Sequence, residues 1–128
     1  FKGHPLADKR EISLKLRSRD NDGIGIAFDF TDKNHYTLLS LNAERKFRTI
    51  LRKDGDKFEE VAANISSYSA GKWHAIRIVQ NEKNTQVFID QKLEFEFPNP
   101  KQKLASIALH CWGNSDTTFK DLEIRPLK

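Results

Sequence analysis

Residues 72–97, KWHAIRIVQNEKNTQVFIDQKLEFEF, contain the clearest strand pattern in the chain. Three short runs rich in β-branched and aromatic residues are separated by two turn-forming segments, 81–84 and 90–91. In the last run, LEFEF at 93–97, apolar and acidic residues alternate. A period of two is typical of a strand with one buried face. The stretch therefore predicts three consecutive antiparallel strands joined by tight turns.

The same pattern continues through the rest of the chain. Seven further strands are predicted at 11–17, 24–30, 35–41, 46–52, 57–62, 104–112 and 118–125. Asp54-Gly55-Asp56 between two of them is a strong hairpin signal. No stretch places apolar residues at helical spacing between helix caps. About ten short strands predict an all-β, two-sheet antiparallel β-sandwich, with a closed barrel as the alternative.

Composition narrows the function classes. The chain has 128 residues, so one domain over 1–128 is expected. Its 22 basic and 18 acidic residues are scattered, which argues against a dedicated nucleic-acid surface. No apolar run approaches the ~20 residues that a membrane span needs. Cys111 is the single cysteine, so no intrachain disulfide can form.

Several motifs resemble those of the laminin-G-like and concanavalin-A-like jelly rolls. They are SRDNDGIGIAF at 18–28, NHY at 34–36, GKWHAIRI at 71–78, VFID at 87–90 and ALHCWGN at 108–114. They are most similar to the bacterial secreted versions, which include thrombospondin-C-terminal-like and sugar-processing modules. The resemblance implies a lectin-like jelly roll and an extracellular or secreted location. This superfamily includes carbohydrate-binding, catalytic and protein-binding modules, so the resemblance alone does not choose between these functions.

The resemblance also implies an open edge. Members of this superfamily usually carry further strands before the position of Glu11, and only ten residues precede it here. An N-terminal edge strand is therefore expected to be missing, or to be supplied by a partner chain.

A lectin-type site needs a floor of small residues, an aromatic face and planar polar groups. Alternation in 24–30 places Ile24, Ile26, Phe28 and Phe30 on one face of a strand and leaves Gly25, Ala27 and Asp29 on the other. In 104–112 it places Ile107 and Leu109 on the side expected to be buried in the core, and His110 and Trp112 on the opposite face. If these faces form one concave sheet surface, Asp29, His110 and Trp112 make its wall. The alternative is that another strand or loop packs over the small residues.

Three more residues extend this predicted site. Tyr36, Arg45 and Arg48 lie on or beside the next strands. Arginine forks bind carboxylates and sugar hydroxyls well. The alternative is that these arginines are simply solvated.

A structural calcium ion is a further hypothesis. Asp20-Asn21-Asp22 concentrates the hard oxygen ligands that calcium prefers. Asp121 resembles the acidic residue with which many of these sandwiches hold calcium. Asp20, Asp22 and Asp121 are therefore the candidate ligands, although short Asp/Asn clusters often form plain turns.

Signals for catalysis are weak. Glu94 and Glu96 could present paired carboxylates, as glycoside hydrolysis requires, but their alternation with apolar residues favours the solvated side of an edge strand. The acidic E-x-D-x-x-E strand of the superfamily's glycosidases is missing.

The predicted function is a non-catalytic carbohydrate-binding module that recognises a glycan or polysaccharide on a concave sheet face. The alternatives are a laminin-G-type protein-interaction or assembly domain and, third, a hydrolase acting on a sugar derivative.

Overall fold

The computed structural model describes residues 9–19, 22–66, 68–99, 106–112 and 116–127, with the side chain of Trp112 outside this set. All regular elements in these ranges are strands: β1 (Arg10–Ser18), β2 (Gly23–Asp32), β3 (His35–Asn42), β4 (Phe47–Asp54), β5 (Lys57–Asn64), β6 (His74–Gln80), β7 (Asn84–Ile89), β8 (Lys92–Pro98), β9 (Ser106–Trp112) and β10 (Thr117–Pro126). Every predicted strand is present, with bounds close to those predicted. The described part contains no helix that could span a membrane.

The strands form two five-stranded sheets, each of which coincides with one compact unit of the chain. The first sheet has the order β10-β1-β6-β7-β8, and the second has the order β5-β4-β3-β2-β9. The pairings resolved within each sheet are antiparallel. The predicted all-β, two-sheet antiparallel architecture is confirmed.

In the first sheet, β1, β6, β7 and β8 each bury one side. In β1, Ile12, Leu14 and Leu16 are buried while the residues between them are more exposed. The apolar face of the first sheet continues through β6 and β7 with the buried residues Ile76, Ile78, Val87 and Ile89. The opposite side, which we call the polar face, carries Ser13, Lys15, Ala75, Arg77 and Phe88.

The turn between β7 and β8 consists of Asp90 and Gln91, with φ angles of 51° and 71°. Two positive φ angles are typical of the type I′ turn of tight hairpins, which usually favours glycine. Asp90 is held by its contacts: its carboxylate accepts a hydrogen bond from the Ala75 N–H at 2.9 Å and contacts His74 Nδ1 at 2.7 Å. These contacts offset the strain of a non-glycine residue in this turn.

The second sheet is shielded on both sides at its centre. Ile24, Ile26 and Phe28 on β2 are fully buried, and this apolar face continues through Leu39 and Ile50. The predicted burial of Leu109 is wrong, because this side chain is 46% exposed. It lies opposite Ile26, but β9 is the last strand in the order of the sheet and so has one neighbouring strand among those described.

A β-bulge interrupts β2. Its pairing with β3 shifts after Phe28, and its pairing with β9 shifts between Ala27 and Phe30. Asp29 lies in the bulge with a φ of 55°. A bulge inserts an extra residue and breaks the alternation of faces. The predicted face sharing of Phe30 with Ile24, Ile26 and Phe28 is therefore wrong.

Candidate functional site

The second sheet carries small residues on the side opposite its apolar face. We call this side the small-residue face, and its members include Gly25, Ala27, Leu38, Ser40 and Thr49. Ala27, Ser40 and Thr49 are 6, 8 and 7% exposed, whereas the apolar face reaches 0%. These three residues are therefore buried, although slightly less completely than the apolar face.

One row of this face crosses four strands. Thr49 pairs with Ser40, Ser40 with Gly25, and Gly25 with His110. Directly paired residues place their side chains on the same side of a sheet. We call Thr49, Ser40 and His110 the hydroxyl row, after its two hydroxyl groups. It brings the predicted His110 beside the predicted glycine floor.

Thr49 has a buried hydroxyl whose Oγ1 finds no hydrogen-bond partner within the described chain. A buried polar group without a partner costs about 1 to 3 kcal/mol. Such groups are uncommon in folded proteins, and each calls for an explanation. Because this oxygen is closed to solvent, a ligand hydroxyl would reach it only after a side chain of the row moved.

His110 is half-buried on the same row. This burial lowers the pKa of His110 below its usual 6.5, because desolvation disfavours the charged imidazolium. Near neutral pH the ring is therefore neutral, with one nitrogen that donates a hydrogen bond and one that accepts. That pair of functions suits a sugar hydroxyl, which also donates and accepts.

Gly25 has a backbone reason to be glycine. A Cβ at this position would lie 1.8 Å from the carbonyl oxygen of Leu39 on the neighbouring strand. The backbone of β3 therefore excludes any side chain here. This finding favours the packing explanation for Gly25, whatever a ligand does above it.

A second row at one end of the face is aromatic. Tyr36 pairs with Lys53, and Lys53 with Phe58. Phe30 stacks on Tyr36 with ring centroids 6.0 Å apart and an interplanar angle of 21°. The ammonium of Lys53 lies 5.0 Å from the Phe58 ring, and Phe58 is 61% exposed. We call Phe30, Tyr36, Lys53 and Phe58 the aromatic row.

Sequence reasoning found Tyr36 but missed the other three members. Phe30 changes sides because of the bulge, which the alternation in 24–30 does not reveal. Phe58 could have been found, because the Gly55-Asp56 turn sets Lys57 opposite Asp54 and so places Phe58 opposite Lys53.

The remaining predicted contact residues are dispersed. Arg48 pairs with Leu41 and therefore lies on the apolar side of the sheet, not on the small-residue face. Arg45 lies in the turn after β3, is exposed, and donates its backbone N–H to Asn42 Oδ1 at 2.8 Å. Asp29 is 7% exposed within the bulge. Trp112 pairs with Gly23 through its strand, and its side chain lies outside the described residues.

Two of the three predicted calcium ligands, Asp22 and Asp121, lie in the described part of the chain. Asp20 lies outside the described residues. The carbonyl oxygen of Asp22 accepts a hydrogen bond from the Tyr68 hydroxyl at 2.7 Å, and the Asp121 carboxylate pairs with Lys15 at 3.8 Å. In the part of the chain that the structure describes, no three His, Cys, Asp or Glu side chains form a metal-binding group. Calcium binding stays a prediction.

The two glutamates of β8 are separated by a bulge. The pairing of β7 with β8 shifts so that Val87 lies opposite Phe95 and Phe88 opposite Leu93. Leu93 is 45% exposed as a result, while Phe95 is buried. Glu96 contacts Gln86 at 2.9 Å through its Oε2. The regular alternation that was predicted along this strand is therefore wrong at Leu93.

Comparison with known proteins identifies the fold. Neither a protein-family model nor a curated protein sequence matches the chain. Among solved structures, the carbohydrate-binding module CBM66 from Bacillus subtilis matches with a TM-score of 0.80 at 11% identity, over 91% of this chain and 74% of that one.

Galectins match as well. Sheep galectin-11 in complex with glycerol has a TM-score of 0.72 at 12% identity, over 93% of this chain and 91% of its own. Galectin LEC-6 of Caenorhabditis elegans has a TM-score of 0.70 at 11% identity, over 93% and 84%. Identities this low establish shape alone. The chain therefore has the lectin-like, jelly-roll β-sandwich fold that its sequence predicted.

Proposed function

We propose that this protein is a non-catalytic carbohydrate-binding module that holds a glycan on the small-residue face of its second sheet. The observation that carries the proposal is the presence of the aromatic row and the hydroxyl row on one face. Aromatic rings bind the apolar side of a sugar, and hydroxyl and imidazole groups bind its hydroxyls. The two rows together supply both kinds of contact.

The spacing of the rows favours an oligosaccharide. Tyr36 of the aromatic row and Ser40 of the hydroxyl row are four residues apart on β3, or about 13 Å at ~3.3 Å per residue. That distance is longer than one sugar ring. A glycan of several units lying along β3 would contact both rows at once.

The fold supports the ligand class without deciding it. The matched structures include a named carbohydrate-binding module and two galectins. A fold hosts many functions, so the site has to carry the argument. The unpartnered Thr49 hydroxyl and the neutral His110 are the features of this chain that a polyhydroxylated ligand would satisfy.

The relationship to particular module families, the location of the protein and the calcium ion are part of the same proposal. The motif at 71–78 and those at 18–28 and 108–114 support a relationship to the laminin-G-like and thrombospondin-C-terminal-like modules. Those modules are secreted, and we propose an extracellular location for this protein too. A structural calcium ion held by Asp20, Asp22 and Asp121 remains part of that hypothesis.

A glycan array, run with and without a calcium chelator, identifies the ligand, and calorimetry on Phe58→Ala then tests the face. Losing an exposed aromatic contact should lower affinity about 10- to 100-fold, or roughly 1.4 to 2.8 kcal/mol. Unfolding stability should hardly change, because Phe58 is 61% exposed.

Leu93→Ala is the matched control, since Leu93 is a large apolar side chain of similar exposure on the first sheet. It should keep the affinity of the parent protein. Equal affinities for the parent and the Phe58 variant would remove the aromatic row from the site.

A further inference from the structure

The polar face of the first sheet contains a groove of its own. It has a volume of about 450 Å³, within the range of small-molecule sites. Ser13 and Ala75 line it between longer side chains. Ser13 pairs with Arg77, and Lys15 with Ala75, so the two small residues lie on neighbouring strands. A depression between longer side chains follows from this arrangement.

One wall of the groove joins an aromatic ring and an arginine. The guanidinium of Arg77 lies 5.0 Å from the Phe88 ring, and its Nε also contacts the carboxylate of Glu11. The stacking and the ion pair favour one orientation of this half-exposed side chain before any ligand binds. Preorganised groups bind with a smaller loss of conformational entropy.

The charged groups around the groove are paired with one another. Lys15 lies 3.8 Å from Asp121, and Arg77 pairs with Glu11. Glu123 and Arg125 are 3.7 Å apart. The four charged residues that line the groove are Lys15, Arg77, Asp121 and Glu123, two of each sign. The groove therefore has no excess charge with which to attract an ion.

A neutral ligand with many hydroxyls fits this chemistry. Carboxylates accept hydrogen bonds, whereas ammonium and guanidinium groups donate them. Sugar hydroxyls do both, so they can bridge neighbouring groups of opposite charge. Phe88 adds an apolar surface. Trp73 is already engaged, because Arg17 lies 4.7 Å and Lys120 4.0 Å from the centre of its ring.

We infer that this groove is a second saccharide-binding site, so that one chain binds two neutral saccharide ligands. The inference rests on the proposed function for its ligand class, but its residues are separate from the small-residue face. Two sites on one module would strengthen attachment to a polymer with repeated units, because the second binding event becomes intramolecular.

The test uses calorimetry with soluble neutral hexasaccharides of the malto-, cello-, xylo- and fructo- series. The parent protein should bind two ligands per chain. Ala75→Leu and Ser13→Leu each fill the groove and should reduce the stoichiometry to one. Gln86→Leu is the matched control on the same polar face, outside the groove, and should leave it at two.

Combining Ala75→Leu with Phe58→Ala separates this inference from the proposed function. Loss of one site in each single variant, and of both in the double variant, supports two sites. If Phe58→Ala abolishes all binding and both groove variants behave as the parent, the groove is not a site and the proposed function stands. If the groove variants abolish all binding and Phe58→Ala changes nothing, the proposed small-residue face fails and the single site is the groove. A parent protein that binds none of the four saccharides would overturn the second site.

Discussion

The polar face of the first sheet and the small-residue face of the second differ in how their polar side chains are paired. On the first sheet, Lys15, Glu11 and Arg77 each have a charged partner on a neighbouring strand. On the second sheet, Thr49 has a buried hydroxyl without a partner in the described chain, as does Thr117 on β10 of the first sheet. Paired charges serve the folded state directly, whereas an unpartnered hydroxyl costs stability. The two faces therefore differ in how their charged groups are paired, while each sheet has one buried threonine hydroxyl without a partner in the described chain.

The floors of the two faces should respond differently to added bulk. Gly25→Ala would place a methyl group against the backbone of β3, so it should destabilise the protein by about 1 to 3 kcal/mol or more. Ala75→Leu extends into the open groove and should change stability by only about 0.5 kcal/mol. Urea unfolding of both variants checks this. Equal costs would mean that the two floors do not differ.

Removing a polar group should have opposite effects on the two faces. Thr49→Val deletes the unpartnered hydroxyl and should raise the free energy of unfolding by about 1 kcal/mol. Glycan affinity should fall several-fold in the same variant. Glu11→Gln weakens the ion pairs to Arg77 and Arg125, and should lower stability by up to about 1 kcal/mol.

Thr37→Val is the control for the threonine. The Thr37 hydroxyl accepts a hydrogen bond from Arg52 Nε at 3.5 Å, so its loss should destabilise the protein. A Thr49→Val variant that is less stable than the parent would show that the hydroxyl already has a partner. Thr49 would then no longer count as an unpaired group on the small-residue face.

The smallest expected effect is a pH dependence that comes from the second sheet. The pKa of His110 is lower in the folded protein than its usual 6.5. As the pH falls through about 6.5, the unfolded chain takes up a proton on this residue before the folded protein does. The stability contribution is therefore complete above that pH and is lost between pH 6.5 and the lower folded pKa.

His110→Gln should flatten this part of the stability curve, because the other histidines are present in both proteins. Melting temperatures of parent and variant between pH 5 and 8 provide the measurement. Parallel curves would show that His110 does not titrate differently in the folded state.

The sequence predicted the architecture well because alternation and turns are local signals. The run at 93–97 and the Asp54-Gly55-Asp56 hairpin each identify their strands without knowledge of the rest of the chain. The hydroxyl row was partly predicted, since His110 and Gly25 do face each other across β9 and β2. These predictions used only the face that each residue occupies on its own strand, and not which residues pair across strands.

The aromatic row depended on features that local patterns do not contain. Phe30 joins Tyr36 because the bulge at Asp29 changes the face of the strand. Arg48 was assigned to the site from its position along the chain, but its register opposite Leu41 places it on the other side. The exposure of Leu109 likewise depends on the order of strands in the sheet, which alternation does not specify.

An amide chemical-shift titration can locate the glycan on the small-residue face residue by residue. The protein is labelled with ¹⁵N and titrated with the tightest ligand from the array. If the small-residue face binds the glycan, the largest changes in amide chemical shift should be those of Tyr36, Ser40, Thr49, Phe58 and His110. Shifts confined to β1, β6 and β10, with the second sheet unchanged, would contradict it.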